Sequence, residues 1–297
     1  MNQEILKETL KNLSPVALRK TIRYVLKVCR DVGNKISQLE SAALTEQQII
    51  DALRHLNING GDIVIVHSSL SRLGYVKGGS STVISALMKS VGIKGTIGAP
   101  TYWGNSKEYL KGKNHYDVLK SQSILGAISE DIRKHPNSKR SYHPTHSAAF
   151  IGPAAEYLVG EHHLDMTPVG KRSPYRKLVD LRGKILLLGV TLEYMTNFHT
   201  IEDEISGFNI QLYCEEPIRF TVRTEQRQEI TVITYCHNAD AGKMQQCNKM
   251  NKYLLEYSLL SEAKLGKSTV MLLDAYLLHN ALHDLYKRGI TMYTPGY

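Results

Sequence analysis

GGDIVIVHSSLSRLGYVKGGSST, residues Gly60 to Thr82, carries a strand, a turn and a helix start in close succession. Asp62 to Val66 is a β-branched run behind a Gly-Gly turn signal, the pattern of a strand buried on both faces of a mainly parallel sheet. His67-Ser68-Ser69-Leu70 falls where that strand ends, and small hydroxyl residues there leave backbone N–H groups free to face a ligand. Gly78-Gly79 permits close backbone approach, and Ser80-Ser81-Thr82 offers an N-cap for an amphipathic helix from Val83 to Ser90. A helix start beside a glycine turn suits an anion, and the crevice beyond strand ends is where α/β sheets bind ligands. The segment matches neither the phosphate loop ending in Gly-Lys-Ser/Thr nor the spaced dinucleotide glycines. An ordinary strand, turn and helix would satisfy the same pattern.

Composition bounds the rest of the 297-residue chain. This length buries a substantial core, and 42% hydrophobic with 22% charged residues is ordinary for a soluble globular protein. No apolar run approaches the roughly 20 residues that cross a bilayer, and the start lacks a secretory signal, so a cytoplasmic protein is expected. Cys29, Cys214, Cys236 and Cys247 lack the two-residue spacing of zinc or redox motifs, which implies reduced thiols and no metal. A net charge of +9 points to acidic partners. No nucleic-acid-binding motif accompanies that charge, so no nucleic-acid partner is expected.

Residues 1–43 read as an N-terminal helical extension. Leu18, Ile22, Val25, Leu26 and Cys29 fall at helical spacing with Lys20, Arg23, Lys27 and Arg30 on other faces. Such a basic helix packs on the body or a second subunit, or lies on a membrane surface. The body, residues 44–297, opens with the capping box Thr45-Glu46-Gln47-Gln48. Thr96 to Trp103 reads as a second strand, Gly104 to Gln122 as a long surface loop, and Ile124 to Lys134 as a helix. Ala148 to Ile151 is an apolar strand. Lys184 to Val190, KILLLGV, is the most apolar strand, and His199, Glu202 and Glu204 follow its end. Beyond Ser206, Ile218 to Arg223 and Glu229 to Tyr235 alternate like an exposed hairpin. Asp240 to Ala263 reads as helical, Ser268 to Leu273 as a strand, and Ala275 to Arg288 as a final helix. The expected class is α/β: a mainly parallel central sheet flanked by helices, with a smaller C-terminal antiparallel part.

Three strand ends therefore hold polar groups: Ser68-Ser69, Thr145-His146-Ser147 and His199. In this order the blocks VHSSLSRLGYVKGG, GTIGAPTYW, KRSYHPTHSAAFIGP, TPVGKRSPYRKL and KILLLGVTLEYMTNFHTIE resemble the antibiotic (aminoglycoside 3-) N-acetyltransferase family. The resemblance covers about Leu44 to Glu204 well and the remainder weakly. It implies an α/β fold in which acetyl-CoA lies across the centre, its thioester near an acceptor amine. Positions that cradle the cofactor correspond to Ser68, Ser69 and Leu70, to Val76, Gly78 and Gly79, and to Thr145 and Ser147. The family's catalytic histidine corresponds to His199, with Glu202 completing the block. A base with pKa near 7 suits removal of a proton from an ammonium, and direct transfer to the amine needs no serine or cysteine nucleophile. Oxyanion donors are sought in backbone N–H groups near Ser68-Ser69 or the hydroxyls of Thr145 and Ser147. His146 reads as a second base or as a hydrogen-bonding structural residue. Tyr102 and Trp103 read as a stacking surface for a sugar or as core. His55, His279 and His283 sit in helical patterns and read as structural.

Aminoglycosides are polycations, and an acidic cluster follows the family's counterpart of Glu229 to Tyr235. Here that place reads Cys236-His237-Asn238-Ala239-Asp240, leaving His237 and Asp240 as acceptor contacts. Lys107, Lys111, Lys113, Lys171 and Arg172 add positive charge. The expected acceptor is therefore an anionic, nucleotide-linked amino sugar of the kind used in surface polysaccharide, with an aminoglycoside as the alternative. The same chemistry serves both. A noncatalytic partner-binding protein with this fold is the reading from another class, and either a monomer or a homodimer is compatible with the sequence.

Overall fold

The structure, a computed structural model, describes residues 24–25, 27–28, 31–32, 43–205, 208 and 210–295. The basic N-terminal helix lies largely outside these residues. Two units are separated, Met1–Ala43 and Leu44–Tyr297, and the elements below belong to the second.

In order, the strands are β1 (Ile63–Ser68), β2 (Thr96–Pro100), β3 (His115–Asp117), β4 (Ser138–Arg140), β5 (Ala148–Ile151), β6 (Lys184–Leu188), β7 (Ile218–Arg223), β8 (Glu229–Thr234), β9 (Ser261–Leu265) and β10 (Ser268–Asp274). The helices are α1 (Glu46–His55), α2 (Gly79–Val91), α3 (Ser106–Leu110), α4 (Ala127–Lys134), α5 (Ala155–Val159), α6 (Pro174–Asp180), α7 (Ala239–Met244), α8 (Asn251–Glu256) and α9 (Ala275–Lys287). Seven strands form the main sheet in the order β4-β5-β2-β1-β6-β10-β9. Its centre, β2-β1-β6, is parallel, and antiparallel strands extend it on both sides. The α/β class expected from the sequence is the one observed.

Side-chain alternation explains why β1 and β6 are apolar throughout. Val64, Val66, Leu186 and Leu188 face one layer with Ile49 and Leu53 of α1, Leu87 of α2 and Ile132 of α4. Ile65, Ile185 and Leu187 face the other, with Tyr175 and Leu178 of α6 and Leu278 and Leu282 of α9. Each central strand is thus buried on both faces, as crossover helices on both sides require. The capping box at Thr45 forms: its hydroxyl accepts from Gln48 N, and the Gln48 side chain accepts from Thr45 N.

Three expectations need correcting. Gly104 to Gln122 is not a bare loop: it holds α3 and β3, and β3 pairs in parallel with β7 to make a second sheet, β3-β7-β8. That sheet has its own core of Trp103, Tyr109, Tyr116, Phe220, Val222 and Val232. The span Asp240 to Ala263 breaks into α7, a 3-10 turn, α8 and the start of β9. Finally, α2 begins at Gly78-Gly79, not at the hydroxyl run. Gly78 is its N-cap in the left-handed region, and the Ser81 and Thr82 hydroxyls turn back to the carbonyls of Gly78 and Lys77. Arg140 of β4, 3% exposed, donates to the carbonyl oxygens of Thr101, Val118 and Ser121 and so ties β2 to the chain entering α4.

Candidate active site

β1 and β6 end side by side, with Ser68 opposite Leu188. Gly189 then turns at φ 75°, and a Cβ there would lie 2.8 Å from the Ser69 carbonyl oxygen. Glycine is what lets the two strand ends converge. Past β6 the chain enters two 3-10 turns, Leu192–Tyr194 and Thr196–Ile201, the second carrying His199 and setting Glu202 at its C-cap.

Glu202 is the hub. Its Oε1 accepts from His199 Nδ1 at 2.7 Å and from the Tyr293 hydroxyl at 2.6 Å, and its Oε2 accepts from His237 Nε2 at 3.2 Å. An ionised carboxylate only accepts, so His199 Nδ1 carries a proton and Nε2 is the nitrogen left for proton exchange. Burial opposes ionisation of Glu202, yet the His199 and His237 imidazoles outweigh it and hold the carboxyl below its usual range. Burial comes first among the causes that push His237 and His146 down, with neighbouring imidazoles adding to it. The rings assemble in a row: His199 to His237 at 4.5 Å, His237 to His146 at 4.8 Å, and His146 to Tyr102 at 4.5 Å between centroids. Tyr102 is fixed by a 2.6 Å hydrogen bond to Thr196 Oγ1.

At the end of β1, Ser68, Ser69, Leu70, Val76, Gly78 and Gly79 line one cleft of about 620 Å³ together with Leu125 and Gly126. An adjoining cavity of about 250 Å³ shares Ser68, Ser69 and Leu125 and adds His67, Arg72 and Tyr194. His67 is 5% exposed, its Nε2 has no partner, and burial lowers its pKa to about 4, so the ring is neutral. The Arg72 guanidinium makes the wall of the adjoining cavity suited to an anion. A larger cavity of about 910 Å³ beside α2 and α4 shares no residue with either the cleft or the histidine row.

The profile of the family described as aminoglycoside 3-N-acetyltransferase matches residues 65–287. The chain belongs to that family. It is 36% identical over 174 residues to aminoglycoside N(3)-acetyltransferase IX of Micromonospora chalcea, covering 54% of this chain and 62% of the relative. To aminoglycoside N(3)-acetyltransferase III of Acinetobacter baumannii it is 34% identical over 172 residues, covering 53% and 60%. The matched stretch thus spans about 60% of these curated relatives' length. Among solved structures, an AAC-IIIb binary complex with CoASH superposes with a TM-score of 0.69 at 24% identity, covering 86% of this chain and 99% of that one. An AAC(3)-IVa variant in complex with a gentamicin gives 0.69 at 25%, covering 83% and 90%.

Within this acetyltransferase-family chain, the residues singled out from sequence divide cleanly. His199, Glu202, His146, His237 and Tyr102 come together, and Ser68, Ser69, Leu70, Val76, Gly78 and Gly79 share the cleft. Thr145 and Ser147 do not reach it: the first hydroxyl bonds His143 Nδ1 at 3.3 Å and the second donates to the Thr101 carbonyl at 2.9 Å. Ser69 N–H is also committed, to Leu188 O at 2.9 Å, so these expected oxyanion donors are engaged elsewhere. Trp103 is core: 7% exposed, it donates to the Pro144 carbonyl at 2.6 Å and stacks on Tyr116. Past the end of β2, Tyr102 turns to His146 and Trp103 to Tyr116. Asp240 is exposed and paired with Lys243 at 2.6 Å. Sequence reading missed Tyr293, Tyr213 and Asp203. The Tyr213 ring lies 5.2 Å from His237, and its hydroxyl donates to Asp203 Oδ1 at 2.8 Å.

Proposed function

We propose that this chain transfers an acetyl group from acetyl-CoA to an amine of an aminoglycoside. The observation that carries the reading is the Glu202 hub: it fixes the tautomer of His199 so that Nε2 can take a proton from an ammonium acceptor. When bound, acetyl-CoA supplies the electrophilic thioester, and the glycine-floored cleft fits an extended, anion-bearing ligand because Gly78 and Gly79, at φ 85° and 66°, bring bare backbone to its wall. His199 accepts the proton at Nε2, and the ionised Glu202 stabilises the imidazolium that results. His237 and Tyr293 hold that carboxylate from two further sides.

The acceptor assignment rests on charge near the histidines. Lys113, counted toward an anionic acceptor, is already engaged: its Nζ lies 3.0 Å from Glu108 and donates to the Trp103 carbonyl at 2.7 Å. Asp203, exposed, accepts from the Tyr213 hydroxyl at 2.8 Å and from Thr167, neither of them a cation, and so brings a carboxylate to the Tyr213 side of His237. The relatives are named aminoglycoside acetyltransferases, and nothing among them favours a nucleotide-linked sugar.

Release of free thiol from acetyl-CoA, followed with an aminoglycoside panel and with nucleotide-linked amino sugars, tests both layers. Turnover of aminoglycosides is expected. Turnover of nucleotide-linked sugars alone would overturn the acceptor and keep the chemistry. His199→Ala should lose about 10²- to 10⁴-fold in turnover, the range for a positioned general base, while CoA still raises the melting temperature. Near-normal turnover in that variant would remove His199 from the role.

A further inference from the structure

We propose that Glu204, His279 and His283 form a divalent transition-metal site, best suited to Zn²⁺, separate from the His199 cluster. His279 and His283 lie one turn apart on α9, so both rings project from one face. Glu204 Oε2 meets His279 Nε2 at 3.1 Å and His283 Nε2 at 3.0 Å. Ligand atoms about a tetrahedral Zn²⁺ bonded at roughly 2.0–2.1 Å stand roughly 3.3 Å apart. A few tenths of an ångström of opening admits the ion.

The hydrogen bonds behind the three donors set the chemistry. Thr200 has one hydroxyl hydrogen, and it is donated to the Asn197 carbonyl at 2.9 Å. With that hydrogen on the carbonyl, the Thr200 oxygen, 3.1 Å from His279 Nδ1, accepts, and this tautomer carries the His279 proton on Nδ1. In the neutral ring the Nε2 lone pair faces the Glu204 carboxylate, acceptor against acceptor. In that tautomer a second proton or a metal ion between them relieves the contact. His279 is 5% exposed, and a metal ion would take up the Nε2 lone pair that faces the carboxylate. A buried imidazole whose far nitrogen is held by a hydrogen bond is the usual setting of a metal-binding histidine.

The carboxylate is oriented in the same way. Arg176 of α6 donates through Nε to Glu204 Oε1 at 2.5 Å and pairs through Nη1 with Asp180 at 2.5 Å. Oε2 is thereby left for the imidazoles, as a monodentate ligand requires. Two imidazoles, one carboxylate and an open position toward solvent make a donor set characteristic of Zn²⁺. His283 is about one-third exposed, which gives the ion its entry. Neither Glu204 nor His283 touches the Glu202 hub, so the site ties α9 to the segment carrying His199 without entering proton transfer.

The test uses the full chain, stripped with chelator and titrated with CoCl₂ and with ZnCl₂. Co²⁺ should bind at one equivalent and give the visible absorption of a tetrahedral site, and Zn²⁺ should displace it and raise the melting temperature. His283→Ala and Glu204→Gln should lose at least tenfold in metal affinity, and His199→Ala should keep it. Absence of Co²⁺ absorption in the unsubstituted chain overturns the proposal. So does retention of full affinity in His283→Ala, or loss in His199→Ala alone, which would assign the ion to the Glu202 hub. None of these readouts depends on acetyl transfer, so failure here leaves the proposed function standing.

Discussion

At the residue scale, Tyr293 shows what a long-range contact adds to a motif. His199 and Glu202 are legible in sequence because they sit three apart in one family block, and the 3-10 turn that joins them needs only local spacing. Tyr293 approaches the same carboxylate from the far end of the chain, and no periodicity in the sequence announces it. Its hydroxyl gives Glu202 Oε1 a 2.6 Å hydrogen bond inside the core. Tyr293→Phe is expected to cost about 1.5–3 kcal/mol of stability, the worth of a hydrogen bond to a charged group. It should also lower turnover while the affinity for acetyl-CoA stays put, since the cleft proposed for the cofactor lies on β1 and α2. A urea midpoint and steady-state constants check it, and unchanged values on both would show the contact to be idle.

Element by element, what could be read was what is local. The capping box at α1, the both-face burial of β1 and β6 and the β7–β8 hairpin follow from pattern alone. Strand β3 was not legible, because three residues in a polar segment become a strand only by pairing with β7 about a hundred positions later. The start of α2 was misplaced for a different reason: serine and threonine favour N-caps, but here their hydroxyls bond backwards and a left-handed glycine takes the position. Gly98 in β2 carries a packing demand that composition cannot display. A Cβ there would sit 2.1 Å from Phe150 Cδ1, and Phe150 is fully buried on the neighbouring β5. Gly98→Ala must push the ring or part the strands, at about 1–3 kcal/mol. Chemical denaturation measures the cost, and an unshifted midpoint would mean that β2 and β5 separate more freely than their pairing implies.

For the molecule as a whole, the buried histidines set how stability responds to acid. His162 Nε2 donates to the Pro168 carbonyl at 2.9 Å while its Nδ1 takes the Ser141 hydroxyl at 2.7 Å, so the neutral ring is satisfied at both ends. His143 stacks on it at 4.2 Å and is bonded at both nitrogens by Thr145 and Thr234. A proton added to either ring displaces a hydrogen bond and buries a charge. Burial lowers the pKa of His162 to about 3 and of His67 to about 4, and that of His143 well below its ordinary 6.5. The unfolded chain takes up these protons near pH 6.5 and the folded chain does not. Their contribution is therefore complete above pH 6.5 and is lost as pH falls, through about 4 for His67 and about 3 for His162. With three such groups the loss approaches about 4 kcal/mol per pH unit at its steepest, about 1.4 kcal/mol for each proton. Glu202, depressed below its ordinary 4.5, adds its own loss only as pH falls below that value, so the histidines act alone above pH 4.5 and the two losses overlap below it. Urea unfolding between pH 7.5 and 5 should show a falling midpoint, and His162→Gln should reduce the slope by about one proton's worth. A midpoint level across that range would mean that these rings reach solvent, and the packing that joins the two sheets around Ser141 would have to be redrawn.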